Sequence, residues 1–104
     1  MLTVRLHPAA VEEALAAAGW YEDRQTGLGQ DLLAEFDRAC AVLAETPSAW
    51  PIWPGIARRL GIRRFLLSRF PYGIAFEATD DEVVVYAIAH LARRPGYWRG
   101  RIKP

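Results

Sequence analysis

The chain has 104 residues, 52% hydrophobic and 24% charged, which sets it among single globular domains with one core rather than disordered or fibrous chains. No apolar run approaches the ~18 residues of a membrane span. One cysteine, Cys40, and two histidines, His7 and His90, exclude an intramolecular disulfide and a cysteine-based metal cluster. The net charge of +1 conceals an asymmetry. Residues 1–56 carry three basic side chains against eight acidic ones, and residues 57–104 carry ten against four. The second half can attract a polyanion or an acidic protein, yet the whole is no strongly basic nucleic-acid binder.

In chain order, Leu2, Val4 and Leu6 alternate with Thr3 and Arg5 and read as a short strand. The opening residues are too short and too alternating for a signal peptide, so cytoplasm is the expected compartment. His7-Pro8 then opens a helix to Arg24, with Glu12 and Glu13 suited to its positive end. Its apolar stripe is Val11, Ala14, Leu15, Ala18 and Tyr21. Gly27 and Gly29 mark a turn. Leu28, Leu32, Phe36, Cys40 and Leu43 define a second amphipathic helix ending near Thr46, because Pro47 disfavours helical geometry before it. Cys40 on that stripe reads as a small core residue.

Residues 47–61 are loop-like, with Trp50 and Trp53 among three prolines, and these indoles are expected to cover a core edge. Strands follow over 62–68, 72–79 and 83–89, with Asp80-Asp81 as a tight turn. The last strand is apolar on both faces, as a central strand should be. The order β-α-α-β-β-β predicts an α+β fold. In it a two-helix hairpin packs on one face of a small, mostly antiparallel sheet, and residues 1–104 form a single domain.

The element order resembles the RelE/ParE superfamily of bacterial type II toxin–antitoxin toxins. So do His7-Pro8-Ala9-Ala10 entering the first helix, Trp20-Tyr21 near its end and Gly27-Leu28-Gly29 before the second. Arg69-Phe70-Pro71-Tyr72 between strands and His90 followed by Arg93-Arg94-Pro95 complete the pattern. The resemblance implies a small toxin silenced by an antitoxin in a hetero-oligomer. RelE-like members cut messenger RNA on the ribosome, and ParE-like members poison DNA gyrase.

Cleavage of RNA by its own 2′-hydroxyl needs a base, cations for the phosphorane and an acid for the leaving oxygen. Carried over by motif, the RelE-like cation positions fall on Leu66, Ser68 and Gly73, none of which supplies charge. The C-terminal arginine and tyrosine fall on Arg93 or Arg94 and on Tyr97. The resemblance therefore favours the ParE-like branch, as do Phe70-Pro71-Tyr72 and the run from His90 to Arg94.

On that reading Arg63, Arg64, Arg69, His90, Arg93, Arg94 and Trp98 recognise the target or the antitoxin. The partners are DNA gyrase and an antitoxin with a disordered acidic or amphipathic tail. No cofactor, metal or membrane is involved. The enzyme alternative is a ribosome-dependent messenger-RNA endonuclease using Arg64, Arg69, His90, Arg93 and Tyr97. A third is a non-toxic member that only binds its antitoxin. Plainer roles stand beside these. His90 reads as a hydrogen-bonded strand end, Arg63 and Arg64 as edge charges that deter aggregation, and Arg99, Arg101 and Lys103 as a solubilising tail. Tyr97-Trp98 should fold back onto the sheet.

Overall fold

The computed structural model describes residues 1–102; Lys103, assigned above to a solubilising tail, lies outside them. Strand β1 (Thr3–Leu6) leads through helix α1 (Pro8–Arg24) and helix α2 (Leu28–Glu45) to β2 (Arg63–Leu66), β3 (Tyr72–Ala78) and β4 (Glu82–His90). The sheet order is β1-β4-β3-β2, parallel between β1 and β4 and antiparallel elsewhere. The fold is thus α+β with a mixed, mostly antiparallel sheet.

Local chemistry sets the helix ends. Pro8 occupies the first turn of α1, and the Nδ1 of His7 accepts the Ala9 N–H at 3.1 Å as its N-cap. Gly27 enters α2 at φ 90°, a left-handed conformation that suits glycine. The Glu22 carboxylate caps the helix by accepting the N–H groups of Gly27 and Gly29 at 2.8 and 2.9 Å. A Cβ on Gly29 would collide with the Ala18 carbonyl, so α1 and α2 touch backbone to backbone there.

The first core lies between the helices and one sheet face. Ala10, Ala14, Ala17 and Ala18 of α1 and Leu32, Phe36, Ala39 and Leu43 of α2 meet Ile74, Phe76, Val83, Val85 and Ile88. The expected stripe of α1 is corrected. Val11 and Leu15 are exposed, and the close approach reserves the buried face for alanines. The register shifts between Ala75 and Phe76, where Tyr86 of β4 is left without a partner. Val83 and Val85 before the bulge, and Ile88 after it, therefore face the helices.

The opposite face holds a second core of Trp53, Ile56, Ile62, Ala75, Val84, Tyr86, Ala87, Ala89 and Trp98. It comes from the 47–61 connection and the C-terminal segment, so β4 is covered on both faces. The connection also shields the outer edge of β2. Arg64 N–H donates to the Pro51 carbonyl at 2.9 Å, and Trp53 N–H donates to the Ile62 carbonyl at 2.8 Å. No helix of the described residues is long and apolar enough to cross a membrane.

Candidate functional site

The end of the sheet where β4 stops carries most of the chemistry. His90 pairs with Tyr72 across β3 and β4, and their rings meet edge to face at 5.1 Å. The chain then turns, with Ala92 N–H donating to His90 Nδ1 at 3.0 Å and Arg93 N–H to the His90 carbonyl at 3.0 Å. An accepting Nδ1 places the proton of the neutral ring on Nε2. Gly96 is left-handed at φ 79°, and a Cβ there would lie 2.8 Å from Ile56 Cδ1. This turn sends Tyr97 and Trp98 back over the sheet, where Trp98 is fully enclosed and stacks edge to face on Trp53 at 5.3 Å.

Glu13, expected to complement the positive end of α1, instead holds this segment in place; the first turn of the helix carries no acidic residue. Glu13 lies in the second turn of α1, too far along to complement the helix end. Its carboxylate accepts the Tyr97 hydroxyl at 2.6 Å and both Arg101 Nη groups at 2.9 Å. It also accepts the Ile88 N–H at 3.2 Å. That amide lies on β4 beyond Val85, the partner of the last β1 residue, so the helix side chain supplies the acceptor a longer strand would have given. Arg93 stacks on the Tyr97 ring at 3.7 Å, its Nη1 3.8 Å from Glu13. Burial raises the Tyr97 phenol far above its usual range, and its hydrogen bond and proximity to Glu13 raise it further. The hydrogen bond to Glu13 likewise raises Arg101. The sequence signal for Glu13 was an acidic side chain set among Ala10, Ala14 and Ala17, the small residues of a buried helix face.

The residues singled out in the sequence fall into separate groups. Arg64, His90, Arg93, Arg94 and Tyr97 line one small cleft of about 80 Å³ with Trp53 and Trp98. Arg69 lies apart, in a groove of about 430 Å³ between α2 and the β2–β3 hairpin, 3.4 Å from Asp31. Arg63 points elsewhere and donates to the Trp50 carbonyl. Two assignments need correction. Trp98 is 0% exposed, an internal anchor of the tail rather than part of an accessible recognition surface. Arg101 is a structural ion-pair partner of Glu13 rather than a solvated tail charge.

The motif positions without charge have structural work. The Ser68 hydroxyl donates to Glu35 at 2.9 Å, and its N–H donates to the same carboxylate. Burial would raise the Glu35 pKa, but the N–H and hydroxyl of Ser68 and the Arg69 N–H outweigh it and hold the carboxyl below its ordinary value. Gly73 lies under the Trp53 ring, where a Cβ would be 3.1 Å from Cη2. Leu66 is half-exposed. Cys40 is half-buried, and burial with nearby Asp37 pushes its thiol up to about 11, an unreactive state at neutral pH.

Mixed sheet, helix hairpin and latched tail together define a small α+β protein whose charged end is organised around a tyrosine–carboxylate–arginine tie. Residues 4–95 match the family model described as ParE toxin of type II toxin-antitoxin system, parDE, and the chain belongs to that family. Among solved structures it is similar to a chain of the chromosomal ParDE TA system from P. aeruginosa. The TM-score is 0.74 at 15% identity, covering 88% of this chain and 97% of that one, a likeness of fold. No curated protein matches it in sequence. The family match stops at Pro95, short of Tyr97, Trp98 and Arg101.

Proposed function

We propose that this ParE-family toxin acts in the cytoplasm by binding DNA gyrase rather than by cutting RNA, and that a cognate antitoxin neutralises it. One observation carries the reading: Tyr97, the tyrosine a nuclease would use, has its hydroxyl bound to Glu13. A phenol raised so far and already donating to a carboxylate is a poor proton donor to a leaving oxygen. Glu13 also places negative charge 3.8 Å from Arg93, opposing the phosphate such an arginine would have to hold. The positions that would add cations are occupied by Leu66, Ser68 and Gly73. Gyrase recognition then falls to Arg93, Arg94 and His90 at the end of β4, which Arg64 flanks. The antitoxin tail, acidic or amphipathic, would cover the exposed apolar residues of the helix hairpin, Val11, Leu15, Trp20 and Val42.

The test is inhibition of gyrase supercoiling by the purified protein. Inhibition lost in an R93Q/R94Q variant is the expected result, and supercoiling unchanged by an excess of toxin overturns it. Cleavage of ribosome-bound message that disappears with Tyr97→Phe would establish the nuclease instead. Harmless overexpression without an antitoxin would establish a non-toxic member.

A further inference from the structure

The cleft at the end of β4 has a feature the gyrase reading does not use. Trp98 lines it and is 0% exposed, yet its indole Nε1–H has no hydrogen-bond partner among the described residues. The Nε of Arg64, in the same lining, is also buried without a partner. Buried donors are nearly always paired, and of the three orphaned ones among the described residues two, Trp98 Nε1 and Arg64 Nε, belong to residues of this lining, while the third, Trp50 Nε1, does not. Arg93 and Arg94 stand at the same opening, and no carboxylate is among the lining residues. Glu13, behind Arg93, is occupied by Tyr97 and Arg101.

Size and charge distribution choose among anions. A volume of about 80 Å³ holds a group the size of two or three waters, at about 30 Å³ each. That suits a carboxylate and excludes a nucleotide. A nucleic-acid strand also needs a track of cations along its backbone. Among the lining residues the positive charge converges on Arg64, Arg93 and Arg94. Among the other arginines, Arg69 pairs with Asp31, Arg5 with Glu82 and Arg101 with Glu13, while Arg63 serves the Trp50 carbonyl. Of the arginines without an ion-pair partner among the described residues, Arg64 and Arg94 line the cleft, while Arg24, Arg38, Arg58, Arg59, Arg63 and Arg99 do not.

We infer that this cleft is a docking site for one carboxylate side chain of an acidic protein segment, held by the Arg64 and Arg94 guanidinium groups beside the buried Trp98 indole. The inference concerns the cleft alone and stands whether or not gyrase is the target. A supercoiling assay therefore fails or succeeds separately from the test below.

The test is a titration of isotope-labelled protein with an acetylated, amidated tetraglutamate at constant ionic strength, with sodium chloride as control. The indole N–H signals of Trp20, Trp50, Trp53 and Trp98 are read one by one. The Trp98 signal should move saturably while those of Trp20 and Trp50 stay in place. Arg64→Gln and Arg94→Gln should each weaken the response about tenfold, as losing a hydrogen bond to a charged group does. Arg69→Gln should leave it unchanged. Arg94 is exposed, so its variant keeps the test intact even where Arg64→Gln perturbs folding. A Trp98 signal that does not move, or moves equally with chloride, overturns the inference. So does movement with a uridine decanucleotide but not with tetraglutamate, which would replace the carboxylate by a phosphate.

Discussion

The two faces of the sheet are built by different means. The helix face is covered by periodic elements, so its core is a set of stripes in which alanines of α1 and larger side chains of α2 meet Ile74, Phe76, Val83, Val85 and Ile88. The other face is covered by segments with no period: the 47–61 connection brings Trp53 and Ile56 and the tail after β4 brings Trp98, which join Ile62 over Ala75, Ala87 and Ala89. Large rings over small strand residues fill that layer, and the Glu13 tie reaches over to hold the tail on it. A sheet face without α-helices is thus closed by Trp53, Ile56, Ile62 and Trp98, with the Glu13 carboxylate holding the tail in place.

Removing the tail's anchor should have the largest effect. Trp98→Ala is expected to cost about 3–5 kcal/mol in urea unfolding, similar to Leu32→Ala on the helix face. A loss several-fold smaller than that of Leu32→Ala would mean that the second face is a cover rather than a core. Gly29→Ala should cost about 3 kcal/mol by pushing α2 away from the Ala18 carbonyl, and thermal unfolding would register it. No matching drop would show that the helix face tolerates separation.

Glu13→Gln should cost about 2 kcal/mol, because it weakens the hydrogen bonds from Arg101 and Tyr97 while preserving shape. Its signature is local: amide exchange should quicken over 96–102 before it does in α2. Uniform quickening would break the assignment of Glu13 to the tail.

The smallest effect concerns pH on the helix side. Glu35 is depressed in the fold, so its stabilisation is complete above the ordinary carboxylate value and fades as pH falls through its lower folded value. The difference in melting temperature between wild type and Glu35→Gln should shrink from pH 7 toward pH 3. A constant difference would remove the Ser68–Glu35 link from the acid response.

Local signals were legible. Pro8 and Arg24 bound α1 as read, and α2 ends at Glu45, one residue before the expected stop. The β-α-α-β-β-β order followed from apolar period and turn residues. The buried face of α1 departs from the expected stripe: side-chain size favours Val11 and Leu15, whereas helix contact at Gly29 favours Ala10, Ala14, Ala17 and Ala18. Of the site, the cluster of His90, Arg93, Arg94 and Tyr97 was visible as a short run. Arg64 joined it only through strand pairing, and Arg69 did not, because the hairpin carries it toward Asp31.

The sequence by itself determined the elements, the sheet's buried central strand and the ParE-like pattern, since helix and strand periods, caps and turns act over a few neighbouring residues. Only the tertiary structure decided that Glu13 is a tie, that Arg101 is structural, that Trp98 is internal and that Arg64 shares a cleft with Arg94. Glu13 and Arg101 are 88 positions apart, and no local period reports a charge pair formed by folding the chain's end back onto its first helix.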